Sequence, residues 1–311
     1  MSLPKALQGR LRLPIIAAPM FLVSGPELVI AACQSGILGT FPALNQRSSD
    51  GYADWLDEIK AALGPADAPF GVNLIVHKSN PRLAADVKIS ADRKIPLAIT
   101  SLGAVKDVVQ AIHDGGGLVF HDVTTVKHGE KAIEAGVDGL IAVCAGAGGH
   151  AGTLSPFALA SELRTAFPDT CLVLAGAIST GRHVAAARMI GADLAYMGTR
   201  FIATHESRGQ DGFKKMIEDS QAADVVYTPR VSGIPANFLA PSLRANGMDP
   251  RDLEPDPDVD MAEQLSTGKA WATIWSAGQG VGSVQDTLPV KALVDRLESE
   301  YRSALTEARD W

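Results

Sequence analysis

The stretch Gly146-Ala147-Gly148-Gly149-His150-Ala151-Gly152 joins a permissive backbone to one titratable side chain. Its glycines let the chain pass close to a planar ligand with no Cβ in the way. Its imidazole can exchange a proton near neutral pH, which makes His150 the candidate catalytic residue. Two later segments, Ala175-Gly176-Ala177 and Met197-Gly198-Thr199, end apolar runs in small residues and read as a phosphate grip. Ser179-Thr180-Gly181 follows the first of them and opens a helix. Backbone N–H groups and a helix dipole there favour a dianion. A tight turn would explain either glycine alone; two such loops in adjacent positions favour the phosphate. Arg200 either adds charge to this grip or pairs with an acid nearby.

Other residues are weaker candidates. Ala17-Ala18-Pro19-Met20 offers small side chains and a thioether, which suit the face or edge of a flat ring as well as an ordinary core. Asn73, at the end of Phe70-Gly71-Val72-Asn73, can hydrogen-bond the polar edge of a ring or cap a loop. His121, beside Asp122, is a second histidine at a strand end, whereas His77, His113, His128, His183 and His205 fall on helices or surface loops. His121, Asp122 and His150 could converge on a metal, but no ligand spacing requires it. No GxSxG is present, and Cys33, Cys144 and Cys171 sit apart in apolar runs, as small buried hydrophobes do.

The elements that must carry these residues are legible as a rhythm. Apolar runs begin at Ile15, Ile37, Phe70, Pro96, Gly117, Gly139, Cys171 and Leu194, about 20 to 33 residues apart. They are continuous rather than alternating, as in parallel strands covered on both faces. Helical segments separate them: Glu27 to Ser35 after Pro26, Ala104 to Asp114, Lys127 to Ala135 before Gly136, and Thr180 to Ile190 before Gly191. Ala135-Gly136-Val137-Asp138 and Ile190-Gly191-Ala192-Asp193 repeat one αβ junction. Eight βα units predict an α/β protein of the (β/α)₈ TIM-barrel class, whose active site lies at the C-terminal strand ends. A doubly wound sheet would carry a glycine fingerprint after its first strand, where Pro19-Met20 stands instead.

After Phe201 the texture becomes acidic and proline-rich, as in Asp249-Pro250-Arg251-Asp252. The expected organisation is a barrel over 1–204, a largely helical cap over 205–280, and a helix over 281–311 returning to the barrel. Helices are expected at Gly212 to Ala223 and Val259 to Leu265, and Tyr227 to Phe238 is expected to line the entrance. With 311 residues, a net charge of −7 and no basic tract, the chain is not expected to bind nucleic acid. No apolar run approaches the length of a membrane span, and no secretory signal pattern opens the chain, so a cytoplasmic, reducing location is expected.

Taken together and in order, these segments resemble the nitronate monooxygenase family, once called 2-nitropropane dioxygenases. The resemblance covers most of the chain. It runs through Pro14 to Met20, Phe70 to Asn73, Gly148 to Gly152, Ala175 to Ile178, Gly191 to Asp193, Met197 to Phe201 and Ala277 to Gly282. It implies an FMN-binding barrel with a helical domain, Gly176, Ala177, Gly198 and Thr199 at the FMN phosphate, Met20 and Asn73 at the isoalloxazine, and His150 as the catalytic histidine. Ala18, His121, Gly148, Gly149, Ala175 and Gln279 are expected around the same cofactor. It further implies oxidation of alkyl nitronates by O2, with His150, its pKa near the working pH, taking the α-proton of a neutral nitroalkane or holding nitronate oxygens. A homodimer is compatible with it. Similar GGHxG loops occur in flavin enoyl-acyl-carrier-protein reductases, so an NAD(P)H:quinone oxidoreductase or enoyl-thioester reductase is the alternative, and a non-catalytic flavin module the third reading. Three departures stand out: Val143 where many relatives have an acid, Asp122 where many have a lysine, and Gly176-Ala177 where Gly-Gly is typical. A cation for the flavin would then come from Lys127 or Arg200.

Overall fold

A computed structural model describes residues 2–77, 79–103, 106–252, 254 and 269–309. The apolar runs form strands β1 (Ile15–Ala17), β2 (Leu38–Pro42), β3 (Phe70–Ile75), β4 (Leu97–Ser101), β5 (Leu118–Val123) and β6 (Gly139–Val143). After a two-residue strand β7 (Gly149–His150) come β8 (Cys171–Ala175) and β9 (Leu194–Met197). All of these except β7 join in parallel into one closed barrel of eight strands. Closure is made by β1, whose Ile16 pairs with Leu38 on one side and Tyr196 on the other. This is a TIM barrel.

Side chains alternate across each strand. Ile16, Leu38, Ile99, Phe120, Ile141, Val173 and Leu194 fill the interior. Their neighbours, such as Ile15, Val72, Ala98, Val119 and Leu174, pack outward with the helices. Because both faces are dry, the strands read as continuous hydrophobic runs. The same alternation decides which residue ends each strand on the inside. Two places beyond Ile16, Ile99, Phe120, Ile141, Val173 and Leu194 stand Ala18, Ser101, Asp122, Val143, Ala175 and Tyr196, with Asn73 at the equivalent place on β3. The polar end of the barrel interior is thus written into the strands themselves.

The helices between strands are set by their ends. Thr125 caps α5 (Val126–Ala135) by accepting from His128 N–H, and Gly136 stops it at φ +93°. Thr180 caps α7 (Gly181–Met189) by accepting from His183 N–H. The repeated junction has a structural use. Asp138 accepts from Val119 N–H at 2.8 Å, and Asp193 accepts from Leu172 N–H at 3.0 Å while pairing with Arg164. Each aspartate pins the strand before its own at the end of the barrel away from the mouth. The C-terminal helix Val290–Arg309 packs on α7 and on α1 (Pro26–Gln34). Gly181 permits that approach, since a Cβ there would stand 2.2 Å from Leu297 O.

The cap is mixed rather than largely helical. It holds the helices Asp211–Asp219 and Ala240–Ala245 and the short helix Lys269–Thr273, but also an antiparallel pair, β10 (Val225–Thr228) and β11 (Ala236–Leu239). Val225, Val226 and Tyr227 are strand formers, and the Gly233–Pro235 break supplies the reversal between the two strands. The expected Val259 to Leu265 helix lies outside the described residues. Among the described residues no helix is long and apolar enough to cross a membrane.

A candidate active site at the barrel mouth

A chamber of about 820 Å3 opens between the strand ends and the cap. The last inward-facing residues of the strands line it, namely Ala18, Asn73, Ser101, Asp122, Val143, Ala175 and Tyr196. So do Met20, His121, Gly148, Gly149, His150, Gly176, Ala177, Gly198 and Thr199. Of the residues expected at a cofactor, Lys127 and Arg200, the expected sources of a cation, stay out of it, as does Gln279. The turn Gln279–Ser283 points that exposed side chain against Gly146, where a Cβ would meet Gln279 Oε1 at 2.8 Å. Its contribution is its backbone N–H, donated to Gly146 O at 2.9 Å, while Gly278 and Gly280 on either side line the chamber.

Polar groups hold the floor in one direction. Asn73 Nδ2 donates to Ile99 O at 3.2 Å and to Ser101 Oγ at 2.8 Å. Ser101 Oγ donates to Asp122 Oδ2 at 2.5 Å. Asp122 Oδ1 is buried with no partner, and burial pushes the carboxyl up to about 6. Burial, and after it the Asp122 charge, raises the Tyr196 phenol well above its ordinary value. His121 is held on Thr100 Oγ1 at 2.7 Å, and burial lowers its pKa to about 4. Among the described residues no three metal-ligating side chains converge.

The end wall is a set of tight turns. Gly176 has φ +143° and Ala177, a non-glycine, φ +54°. Several donors expected for an anion are already used. Gly181 N–H donates to Glu300 Oε2 at 2.7 Å, Ser179 N–H to His183 Nδ1 at 3.2 Å, and Ala177 N–H to Gly146 O at 3.2 Å. Thr199 Oγ1 accepts from Gly278 N–H at 2.8 Å. The free group is Ser179 Oγ, buried, lining the chamber and without a partner. Gly198 is an open position on this wall: the nearest atoms a Cβ there would meet are Ala18 Cβ at 3.6 Å and Met20 at 3.8 Å, and the residue lines the chamber. Arg200 turns away, its guanidinium donating to Asp286 Oδ1 at 2.8 Å. The basic side chains lining the chamber include Lys131 of α5 and Arg208, but not Lys127.

The roof belongs to the cap. Gly149 and His150 form β7, the third strand of the cap sheet, with His150 opposite Ala236. Asn237 Nδ2 donates to Ala147 O at 2.6 Å, Gly149 N–H donates to Ser276 Oγ at 2.7 Å, and Tyr227 donates to Ala151 O at 3.0 Å. The His150 ring meets Trp271 edge to face, centroids 5.7 Å apart, and its Nε2 is buried without a partner. Burial lowers its pKa to about 4, below the near-neutral value expected of a base at the working pH. The imidazole is therefore neutral at pH 7, able to accept a proton at one nitrogen and to donate a hydrogen bond from the N–H of the other. Tyr227, Ile234, Pro235, Phe213, Trp271 and Trp275 make most of the rest of the roof apolar, with Ser232 among them. Ser179 belongs to the helix start that the sequence marks for a dianion, with its hydroxyl rather than its N–H left free. Trp271 and Tyr196 are not singled out by the sequence, although parity along β9 leads to Tyr196. Trp271 had no local signal.

Burial pushes the thiols of Cys33 and Cys144 up to about 12, which removes them as nucleophiles.

Comparison with known proteins adds the following. A sequence model of the family described as nitronate monooxygenase matches residues 82–300. A nitronate monooxygenase of Paraburkholderia phytofirmans is 27% identical over 96% of this chain and 94% of its own. A (3aS,4S,5R,7aS)-5-hydroxy-7a-methyl-1-oxo-octahydro-1H-indene-4-carboxyl-CoA dehydrogenase of Mycobacterium tuberculosis is 28% identical over 74% of this chain and 64% of its own. The solved structure of nitroalkane oxidase from Streptomyces ansochromogenes superposes with a TM-score of 0.83 at 28% identity, covering 98% of this chain and 100% of that one.

Proposed function

The chain belongs to the nitronate monooxygenase family, and on that premise we propose that it is an FMN-dependent oxidoreductase that oxidises alkyl nitronates with O2. The observation that carries this reading is the pairing of two unsatisfied groups across one chamber: Ser179 Oγ at the glycine wall and His150 Nε2 at the apolar roof. A flavin mononucleotide fits that pairing. Ser179 and the open space at Gly198 would take its phosphate, and Ala18, Met20 and Asn73 would flank its ring. When bound, FMN supplies the electron acceptor. The chain's own residues do the rest. Trp271, Trp275 and Phe213 exclude water. The neutral His150 ring donates one N–H to an anionic nitronate oxygen, or accepts the α-proton of a neutral nitroalkane. An anion beside it raises its pKa again and strengthens the contact. An imidazole held near 4 is a weak base, so preformed nitronates should be turned over faster than neutral nitroalkanes.

The test is anaerobic mixing of the flavin-loaded protein with propyl nitronate and, separately, with NADH. Fast bleaching by the nitronate alone supports the reading; fast bleaching by NADH alone transfers the chain to the reductase alternative. His150→Asn should cut the rate with nitronate by about 10-fold to 100-fold at unchanged flavin content, the size of a hydrogen bond to a charged group. An unchanged rate would remove His150 from the reaction. The dehydrogenase name of the mycobacterial relative makes acyl thioesters the substrates to add to the same assay.

A further inference from the structure

We propose that Asp122 contacts the cofactor, its free Oδ1 accepting the one ring N–H of the flavin, which lies between two carbonyls on the pyrimidine half. This rests on the flavin reading above.

Asp122 is the last inward residue of β5 and forms part of the chamber floor. Its orientation is fixed by a relay from Asn73 through Ser101, which ends on Oδ2 and leaves Oδ1 facing no protein donor. Burial raises the pKa of this carboxyl, and the Ser101 hydrogen bond acts against that rise without cancelling it. A buried carboxylate oxygen left without a donor is costly to a folded chain. A ligand N–H would complete it. The flavin ring carries one such donor, and the rest of its polar edge is acceptors. Asn73 and Ser101 then serve as positioning residues, since they hold the carboxyl that touches the ring.

Ligand chemistry can isolate this contact. The apoprotein is titrated with FMN and with 3-methyl-FMN, which lacks the ring N–H, following quenching of protein fluorescence. The wild type should bind FMN about 10-fold to 100-fold more tightly than the methylated form, the range for a hydrogen bond to a charged group. In Asp122→Ala the two should bind within about threefold of each other, and in Asp122→Asn, which keeps a neutral carbonyl, the ratio should be intermediate. The same ratio in Asp122→Ala as in the wild type would overturn the proposal, as would a wild-type ratio near one. If Asp122→Ala does not fold, the Asp122→Asn ratio decides. Wild-type protein that binds neither form would overturn the flavin reading itself, a separate outcome from the loss of discrimination.

Discussion

Gly198 offers a prediction in which folding and ligand binding move in opposite directions. An alanine methyl at this position would lie 3.6 Å from Ala18 Cβ and 3.8 Å from Met20, ordinary van der Waals distances, and φ is −104°, a value any residue adopts. Replacing a glycine where the backbone already suits alanine stabilises a protein by about 0.4–1 kcal/mol, through the unfolded chain. The ligand-free Gly198→Ala protein should therefore melt no lower than the wild type, and about 1–2 °C higher at this chain length. The same methyl occupies space that a phosphate or ribityl group would use. Overpacking of that kind costs about 1–3 kcal/mol, so FMN should bind about 5-fold to 150-fold more weakly. Gly278 and Gly280 give the contrast. A Cβ at Gly278 would sit 2.5 Å from Gly146 O, and one at Gly280 2.9 Å from Ala177 C. Gly278→Ala and Gly280→Ala should lower the melting temperature of the ligand-free protein itself. The assay is differential scanning fluorimetry of ligand-free protein together with FMN titration of each variant. A Gly198→Ala protein that binds FMN like the wild type would refute the assignment of that space to the cofactor; one that melts several degrees lower would refute the packing argument.

Two more predictions concern pH. His150 and His121 are each pushed down to about 4 by burial, so the unfolded chain takes up protons before the folded one, and the stability they carry is present above about 6.5 and lost as pH falls toward 4. Thermal melts across this window should therefore fall less steeply for His150→Asn than for the wild type; parallel slopes would contradict the burial of the ring. Asp122 has the opposite sign: its carboxyl is raised to about 6, so its burial destabilises the folded state above that pH, and the penalty disappears as pH falls toward 4. Ligand-free Asp122→Asn should then melt a few degrees above the wild type at pH 8, with a ceiling of about 3 kcal/mol, and the gap should close by pH 4. A gap independent of pH would place the effect in packing rather than charge.

The barrel was legible because its cause is local. Continuous apolar runs such as Gly139–Val143 and Cys171–Ala175 can be dry on both faces only in a covered parallel sheet, and their spacing leaves room for one helix each. Counting by two along those strands also reaches most of the chamber floor. The roof was not legible for the same reason. His150 owes its low pKa to the cap that buries it, and Trp271, which packs against its ring, lies over a hundred residues away. Its loop becomes a strand only because Ala236 and Asn237 come alongside. At α7 the sequence shows a helix start that could receive a phosphate, but not that Glu300 of the C-terminal helix already occupies Gly181 N–H. Arg200 likewise reads as a free charge until Asp286 is seen beside it.

What sequence reading cannot supply is the remainder left after the protein has satisfied itself, and here that remainder has a location. Among the described residues, five buried side-chain polar atoms lack a hydrogen-bond partner: Asp86 Oδ2, Asp122 Oδ1, His150 Nε2, Ser179 Oγ and Arg230 Nε. Two of these belong to side chains held in ion pairs, Asp86 with Arg82 and Arg230 with Asp252. The other three line a single chamber, one on its floor, one on its end wall and one on its roof. Folding leaves buried polar groups unpaired only at a cost of about 1–3 kcal/mol each. Three such costs around one space are hard to maintain by chance and easy to explain if a ligand repays them together. That ligand must offer a donor to an acid, oxygen acceptors to a hydroxyl, and an apolar body under two tryptophans. A flavin ring with a phosphate tail satisfies the first two, and a small substrate lying over it meets the third.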